Sequence, residues 1–463
     1  MGTTHSHHHH GHHESEWKGP FSDEEYDCLV KSYSDVVAAK DGASPQERLQ
    51  RFFSLPIAVE VPSEWQQGLA MLGASFVELC KHTQEQQGEP SASAALTLND
   101  FVRGIAQCTR ASSQAILRAL FRLFASDKNG VYLSEDEVHT MLYACLVMAN
   151  DRLAENEPKQ LVQMTRKLAD AALPVPLPVG SAATTRQLSM DDLMRWTGNQ
   201  VPLLYSTFSS WVTKRCFGRL ARLSYNPPEL SHPSDILSLS QFTALSLTGT
   251  PLQQRVDRLY TNAQDGLSFN RLCHHILGYG GPTLVVVRST DGDVFGLYGD
   301  TEWRETSKFY GSNGCFLFRV EPHLSVYRVS ASSANENYMY LNTKGVALPR
   351  GLGMGGDTTA FRLFLNEDFD ENCYTSAKCL SFEPGRLTTK NNFAVDALEV
   401  WGCGGDDAIG RQRAYRKDTA DMIDKMRKVD KAAFIGNEFD RNFLLSKTFG
   451  HGTDAARIAD DEH

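Results

Sequence analysis

Residues 280–303 read GGPTLVVVRSTDGDVFGLYGDTEW, and this stretch decides the fold of the second half of the chain. Residues 283–288 are a short β-branched apolar run, which suits a strand buried on both faces. Asp291-Gly292 follows at once, a glycine-containing signal for a tight hairpin turn, so residues 294–298 are the return strand. Working outward, the chain reads FYGSNGCFLFRVEP over 309–322, NYMYLNTKGVALPRGLGMGGDTTAFRLFLNEDF over 337–369 and FAVDALEVWGCG over 393–404. These predict further strands at 315–320, 338–341, 361–365 and 398–401, each bounded by Gly, Asn, Asp or Pro. Many short strands at turn-punctuated intervals predict an antiparallel two-sheet sandwich. Trp303 and Trp401 are expected to anchor its core or a sheet edge.

The arrangement resembles the TLDc domain over roughly residues 234–404. The resemblance is carried by Ser268-Phe269 before a helix, Gly281-Pro282-Thr283, Asp291-Gly292 with Val294-Phe295-Gly296, Trp303, and Gly314-Cys315-Phe316-Leu317-Phe318. It continues in Gly353, Gly355 and Gly356, and in Glu399-Val400-Trp401. Tyr338-Met339-Tyr340-Leu341-Asn342 and Gly351-Leu352-Gly353-Met354-Gly355-Gly356 resemble the mTOR-associated, lysosome-linked branch, whose members carry helical EF-hand-like segments before the domain. The resemblance implies a sandwich flanked by helices and a non-catalytic adaptor. It implies binding to subunits of the peripheral, catalytic sector of the vacuolar proton-pumping ATPase, with the TOR complex as a further partner. Family names also speak of oxidation resistance.

The whole chain has 463 residues, room for two or three domains. Hydrophobic content of 41% with 22% charged residues is ordinary for a soluble protein. A net charge of −10 leaves no basic stripe to neutralise phosphates, so nucleic acid is excluded as the main partner. No apolar run approaches the ~20 residues that span a bilayer. The ten cysteines carry no CxxC pair, which predicts free thiols in a reducing cytosol.

Met1-Gly2-Thr3-Thr4-His5-Ser6 fits N-myristoylation at Gly2. The histidines at 5, 7–10, 12 and 13 also fit an expression tag, broken unusually by Gly11, or a natural disordered tract over 1–19 that binds metal weakly. One myristoyl chain binds membranes only marginally. The following Glu14-Ser15-Glu16 is acidic, so a membrane-bound partner, the pump, is expected to supply the second contact.

Residues 20–233 predict an α-helical, EF-hand-like region. Ser22, Thr97, Ser134, Ser189 and Ser238 each stand three residues before an acidic or amide side chain and open an apolar helical stretch, the pattern of a capping box. In EF-hands it opens the exiting helix. Residues 125–137 form the best loop, with Asp127, Asn129, Gly130 and Glu137 at ligand and turn positions and Ile116, Leu117, Leu120, Phe121 and Phe124 on the entering helix. Ala125 stands at the first ligand position and one extra residue precedes Glu137, which predicts a degenerate, structural loop and no metal site. Residues 174–185, rich in Pro and then Ser and Thr, read as a linker.

Gly351-x-Gly353-x-x-Gly356 spells a dinucleotide fingerprint without its parallel strand–turn–helix context, so no cofactor is expected. The glycines are read as a tight-turning loop over 348–359, where Gly351, Gly353, Met354, Gly355 and Gly356 approach a partner. His274-His275 are adjacent on a helix and cannot chelate together; one packed and one solvated is expected. No triad or metalloprotease motif suggests an enzyme. In the C-terminal segment 405–463, residues 418–433 predict a helix with Met422, Ile423, Met426 and Val429 on one face. It packs back on its own domain or, through its adaptable methionines, binds a partner. The expectation is an α+β adaptor, cytoplasmic and peripheral on lysosome-like or vacuolar membranes. An oxidative-stress protection factor and a Ca²⁺-responsive scaffold are the alternatives.

Overall fold

The computed structural model describes residues 17–38, 42–85, 96–126, 131–174, 186–249, 252, 255–344 and 347–436. Its first half is helical: α1 Asp23–Tyr33, α2 Pro45–Phe52, α3 Ser63–Ala70, α4 Leu72–Glu85, α5 Leu98–Thr109, α6 Ser113–Phe124, α7 Glu135–Ala149, α8 Leu153–Asn156, α9 Pro158–Ala172, α10 Met190–Asn199 and α11 Leu204–Phe217. The hydroxyl patterns start helices as expected. Reciprocal capping boxes join Ser22 to Glu25, Thr97 to Asp100, Ser134 to Glu137 and Ser238 to Gln241. Ser189 caps α10 by accepting from the Asp192 N–H. Helix α7 is apolar on every side from Met141 to Ala149 and is buried throughout that length, so the other helices pack around it.

Two short strands interrupt the helices. β1 (Tyr132–Ser134) pairs antiparallel with β2 (Gln187–Ser189), placing Leu133 opposite Leu188, both fully buried. The helix–strand–helix units α6–β1–α7 and α9–β2–α10 are thereby clasped to one another.

The second half holds β3 Glu229–Leu230, β4 Arg255–Thr261, β5 Thr283–Ser289, β6 Val294–Gly299, β7 Thr306–Tyr310, β8 Phe316–Glu321, β9 Ser325–Arg328, β10 Met339–Asn342, β11 Gly351–Asp357, β12 Ala360–Asn366, β13 Cys373–Thr375, β14 Asn392–Phe393 and β15 Val395–Gly402. Helices α12 Leu239–Ser246, α13 Asn262–Asp265 and α14 Phe269–Ile276 lie among them, and α15 Gly405–Gly436 follows. The strands form a seven-stranded sheet in the order β3-β4-β15-β5-β6-β8-β9 and a six-stranded sheet in the order β14-β13-β12-β11-β10-β7. All their pairings are antiparallel except β3 with β4. The fold class is therefore α+β. All six predicted strands exist, with ends that agree to within three residues.

Two cores explain why residues 283–288 are apolar without alternation. Val285, Val287, Phe295, Leu297 and Leu317 face the six-stranded sheet and meet Leu341, Leu352, Met354, Leu363 and Leu365. Their neighbours Leu284, Val286, Tyr298, Phe316, Phe318 and Trp401 point the other way and join the core of the helical half. The seven-stranded sheet is thus sandwiched between a sheet and a helical layer. Trp401 packs edge-on against Phe242 of α12, and Trp303 donates to Thr283 Oγ1 at 2.7 Å inside the domain.

Polar groups lock this contact at its margin. Strand β9 is the last of its sheet, yet the side-chain amide of Gln200 stands in for a further strand. It accepts from Val326 N–H at 2.6 Å and donates to Val326 C=O at 3.1 Å. Arg328 donates to the carbonyls of Asn199 and Thr248, and Lys167 and Gln241 both reach the Glu321 carboxylate. Glu399, fully buried in β15, accepts from Ser234 Oγ and Asp235 N–H at 2.6 Å and from Trp401 Nε1 at 3.0 Å, tying the start of the domain to its centre. Desolvation raises its carboxyl above the ordinary range against those donors.

Gln200→Ala leaves the Val326 amide and carbonyl without their partner and should lower unfolding free energy by about 1–2 kcal/mol, with the urea m-value unchanged. Equilibrium urea unfolding checks this; a midpoint equal to wild type would mean water replaces the amide fully.

Candidate partner-binding surfaces

The C-terminal helix is longer than its sequence pattern predicted and begins at Gly405, not near residue 418. Asp406 and Asp407 in its first turn suit the positive end of the helix dipole. Its docking site is a run of small residues. A Cβ built at Gly278 would lie 2.2 Å from the Tyr415 ring, at Gly280 2.4 Å from Arg411 Nε, and at Gly281 2.9 Å from the Ala408 Cβ. The Gly278-x-Gly280-Gly281 stretch is therefore a close-approach floor, with Gly278 and Gly281 the positions that most require glycine. Ala408 and Gln412 are buried on it, and Gln412 donates to the His275 carbonyl at 2.6 Å. Sequence reasoning passed over this floor; its signal was a glycine cluster facing a helix with Ala408, Arg411, Gln412 and Tyr415 at helical spacing.

Positions 408, 412, 415, 422 and 426 share one stripe of the helix. The stripe that meets the glycine floor therefore continues outward as Met422 and Met426, with Ile423 beside them, and these three are 59%, 60% and 46% exposed. At 32 residues the helix is about 48 Å long. The first turns, before the stretch read as a helix, pack on the domain, and the predicted apolar face at Met422, Ile423 and Met426 is exposed. Val429 lies in the final turns, outside the residues whose side chains are described.

The glycine-rich stretch differs from its reading as a loop. Residues 351–357 are strand β11, paired to β10 and β12 inside the six-stranded sheet, and Gly351, Gly353, Met354, Gly355 and Gly356 are buried. The glycines serve packing. A Cβ at Gly353 would meet the Phe361 ring at 2.6 Å, and one at Gly351 the Phe364 ring at 2.7 Å. Phe361 and Phe364 lie over this strand with Tyr340, so aromatic rings fill the space the glycines leave. The alternation with Leu352 and Met354, which point into the sandwich core, was the missed strand signal. The rejected dinucleotide reading stays rejected, since residues 360–366 are a strand and not a helix.

In the helical half, Asp127, Asn129 and Gly130 lie outside the described residues, as do Gly2, the His-rich tract and the linker over 175–185. Glu137 is described, and its carboxylate is fully engaged. One oxygen accepts from the N–H and hydroxyl of Ser126, the other from Ser134 N–H at 2.7 Å. It closes the loop by hydrogen bonds at the place where an EF-hand would use it on a cation. Among the described residues no group of three His, Cys, Asp or Glu side chains converges on a metal position. His274 is exposed and His275 half-buried, its Nδ1 2.8 Å from the Leu259 carbonyl, as the adjacent pair predicted.

The thiols bear on redox chemistry. All ten cysteines are free, and eight are buried, with only Cys28 and Cys379 partly accessible. Burial pushes Cys145, Cys273, Cys373 and Cys403 up to about 12 and raises Cys80, Cys108, Cys216 and Cys315 as well. A buried thiol held neutral is a poor nucleophile.

Residues 230–404 match the family model of the TLDc domain. A chicken (Gallus gallus) protein named MTOR-associated protein MEAK7 is 39% identical over 155 residues, 33% of this chain and 32% of the relative. Its human (Homo sapiens) namesake is 36% identical over 148 residues, 32% of each. Oxidation resistance protein 1 of Xenopus laevis is 28% identical over 176 residues, 38% of this chain and 19% of the relative. The matched stretch thus spans about a third of the length of the MEAK7 relatives.

Two outcomes test these surfaces. Gly281→Val should destabilise by about 1–3 kcal/mol through overpacking against Ala408, and hydrogen exchange should show protection lost at 405–416 while the strands stay protected. Thiols whose folded pKa is raised contribute stability that is full below the ordinary value of 9.0 and is lost as pH climbs towards about 12. Urea midpoints in reducing buffer should accordingly fall above pH 9; a flat profile would mean the thiols ionise in place.

Proposed function

From a chain that carries a TLDc domain over residues 230–404, we propose an adaptor without catalytic activity. It binds subunits of the peripheral sector of the vacuolar proton-pumping ATPase at lysosome-like membranes and is linked to TOR signalling. The observation that carries this reading is α15, whose apolar stripe docks on a glycine floor and then runs on, uncovered, as Met422, Ile423 and Met426. A helix with an apolar face and methionine contacts suits a groove on a protein partner. The names of the MEAK7 relatives support the TOR link.

The oxidation-resistance reading draws support from the relative of that name. Eight buried, upshifted thiols oppose a peroxidase form of it, so any protective role would act through partners. The Ca²⁺-scaffold reading is disfavoured by Glu137, whose carboxylate already satisfies Ser126 and Ser134. Calorimetry with Ca²⁺ on wild type and Asp127→Ala would restore it if heat appeared in the first and vanished in the second.

Capture of pump subunits from lysate by the full chain is the test. Met422→Asp with Met426→Asp, and separately deletion of 418–463, should weaken capture at least about tenfold. Thermal unfolding should stay within about 0.5 kcal/mol of wild type for the double variant, because both side chains are exposed. Undiminished capture by both variants would remove the helix from the interface.

A further inference from the structure

We propose that the surface at the C-terminal end of α11 is a contact site for an anionic bilayer, built from cations and exposed apolar side chains together. This deepens the membrane half of the proposed function and rests on it.

Helix α11 ends in Lys214 and Arg215, and Gly218, at φ +51°, turns the chain out into a single 3₁₀ turn, Gly218–Leu220. Arg219 and Arg222 follow, so four exposed cations fall within nine residues of a chain whose net charge is −10. Arg215 donates to the Ser54 carbonyl at 3.1 Å; the other three carry no ion pair among the described residues. Leu220 stands between Arg219 and Arg222 and Leu223 follows, 42% and 37% exposed, with Leu223 at the edge of the neighbouring cleft.

The Arg215–Ser54 bond brings a second apolar loop alongside, on which Ile57 is 45% and Val59 92% exposed. Exposed aliphatic side chains thus stand beside exposed cations on one surface. They match the boundary of an anionic membrane, where the headgroups take the charge and the acyl region takes the aliphatic tips. Acidic side chains lie near: Glu60 follows this loop, and Asp151, Glu157 and Glu229 line the cleft beside Lys214. Arg219 and Arg222 stand outside that cleft and are the cations that define the site.

The path of the N-terminus is an independent reason. Phe21 packs on Phe217, the last residue of α11, with ring centroids 5.6 Å apart, and Arg110 lies over both rings. Phe21 therefore lies at the end of α11 that carries the patch, and the chain before it runs along α5 to Trp17, whose backbone N–H donates to Asn99 Oδ1 at 3.1 Å. A myristoyl group on Gly2 would be tethered by fifteen residues, a reach of up to about 50 Å. One acyl chain needs a second contact to hold a membrane, and this surface supplies it from the chain itself.

The test uses the full, unacylated chain, so its outcome does not depend on Gly2. Co-sedimentation with vesicles of phosphatidylcholine containing about 30 mol % phosphatidylserine should exceed that with phosphatidylcholine alone and fall at high salt. Arg219→Ala with Arg222→Ala should cut the partition coefficient roughly thirtyfold, and Leu220→Ala with Leu223→Ala should also weaken it. Lys308→Ala, on β7 in the other sheet, should not. Equal binding to both vesicle types overturns the proposal, as does wild-type binding by the arginine variant. So does capture of an acidic protein through this surface without vesicle binding. Capture of pump subunits by the arginine variant should stay as in wild type, so failure here and failure of the adaptor reading are separately visible.

Discussion

The structure depends on covering the outer face of the seven-stranded sheet. Leu284, Val286, Tyr298, Phe316, Phe318 and Trp401 project from it, away from the sandwich core, and all are buried by the helical half. Left in water, six large apolar side chains on one flat face would be an aggregation surface, and burying each stabilises by about 1.5–3 kcal/mol. The family match over 230–404 therefore outlines a sequence unit, while the cooperative unit includes the helices before it. This also explains why β5 reads as a continuous apolar run, a pattern more usual in parallel sheets covered on both sides.

Polar contacts at the rim fix how the helical layer sits. Apolar packing is non-directional, so the register of a helix layer on a sheet has to come from groups with geometry. Gln200 supplies it by pairing with both backbone groups of Val326, which a shift of one residue along β9 would break. Arg328 reaches the Asn199 carbonyl of the helical half and the Thr248 carbonyl just after α12, and Glu321 gathers Lys167 and Gln241. The clasp of β1 on β2 plays the same part inside the helical half, since Leu133 and Leu188 are buried only when the two units share a register.

What was legible in the sequence follows from this. Strands that alternate or run apolar between turn residues, such as 283–288 and 361–365, were plain because burial dictates their side chains. The helix starts were plain because a cap is a local signal, read within four residues. Strand β11 was not, because glycine is permissive and its reason here is non-local: Phe361 and Phe364 of the next strand occupy the room that Gly353 and Gly351 vacate. The early start of α15 was missed for a similar reason. Gly278, Gly280 and Gly281 lie more than a hundred residues from the helix they receive. Short strands such as β13 and β14 exist only through their partners and carry little pattern of their own.

The docked root of α15 has a consequence for any partner it meets. A free amphipathic helix of this composition would be marginal in water and would lose conformational entropy on binding. Here Ala408, Gln412 and Tyr415 hold the first three turns against the glycine floor and the His275 carbonyl, so helix formation is nucleated before contact. Propagation then adds one hydrogen bond for each residue ordered, and the Met422–Met426 stripe is presented at a set azimuth. The ordering cost of binding is thereby reduced, and the apolar contact goes further towards affinity. The same rigidity makes the surface selective, because a partner groove has to accept both the stripe and the direction in which the domain points it.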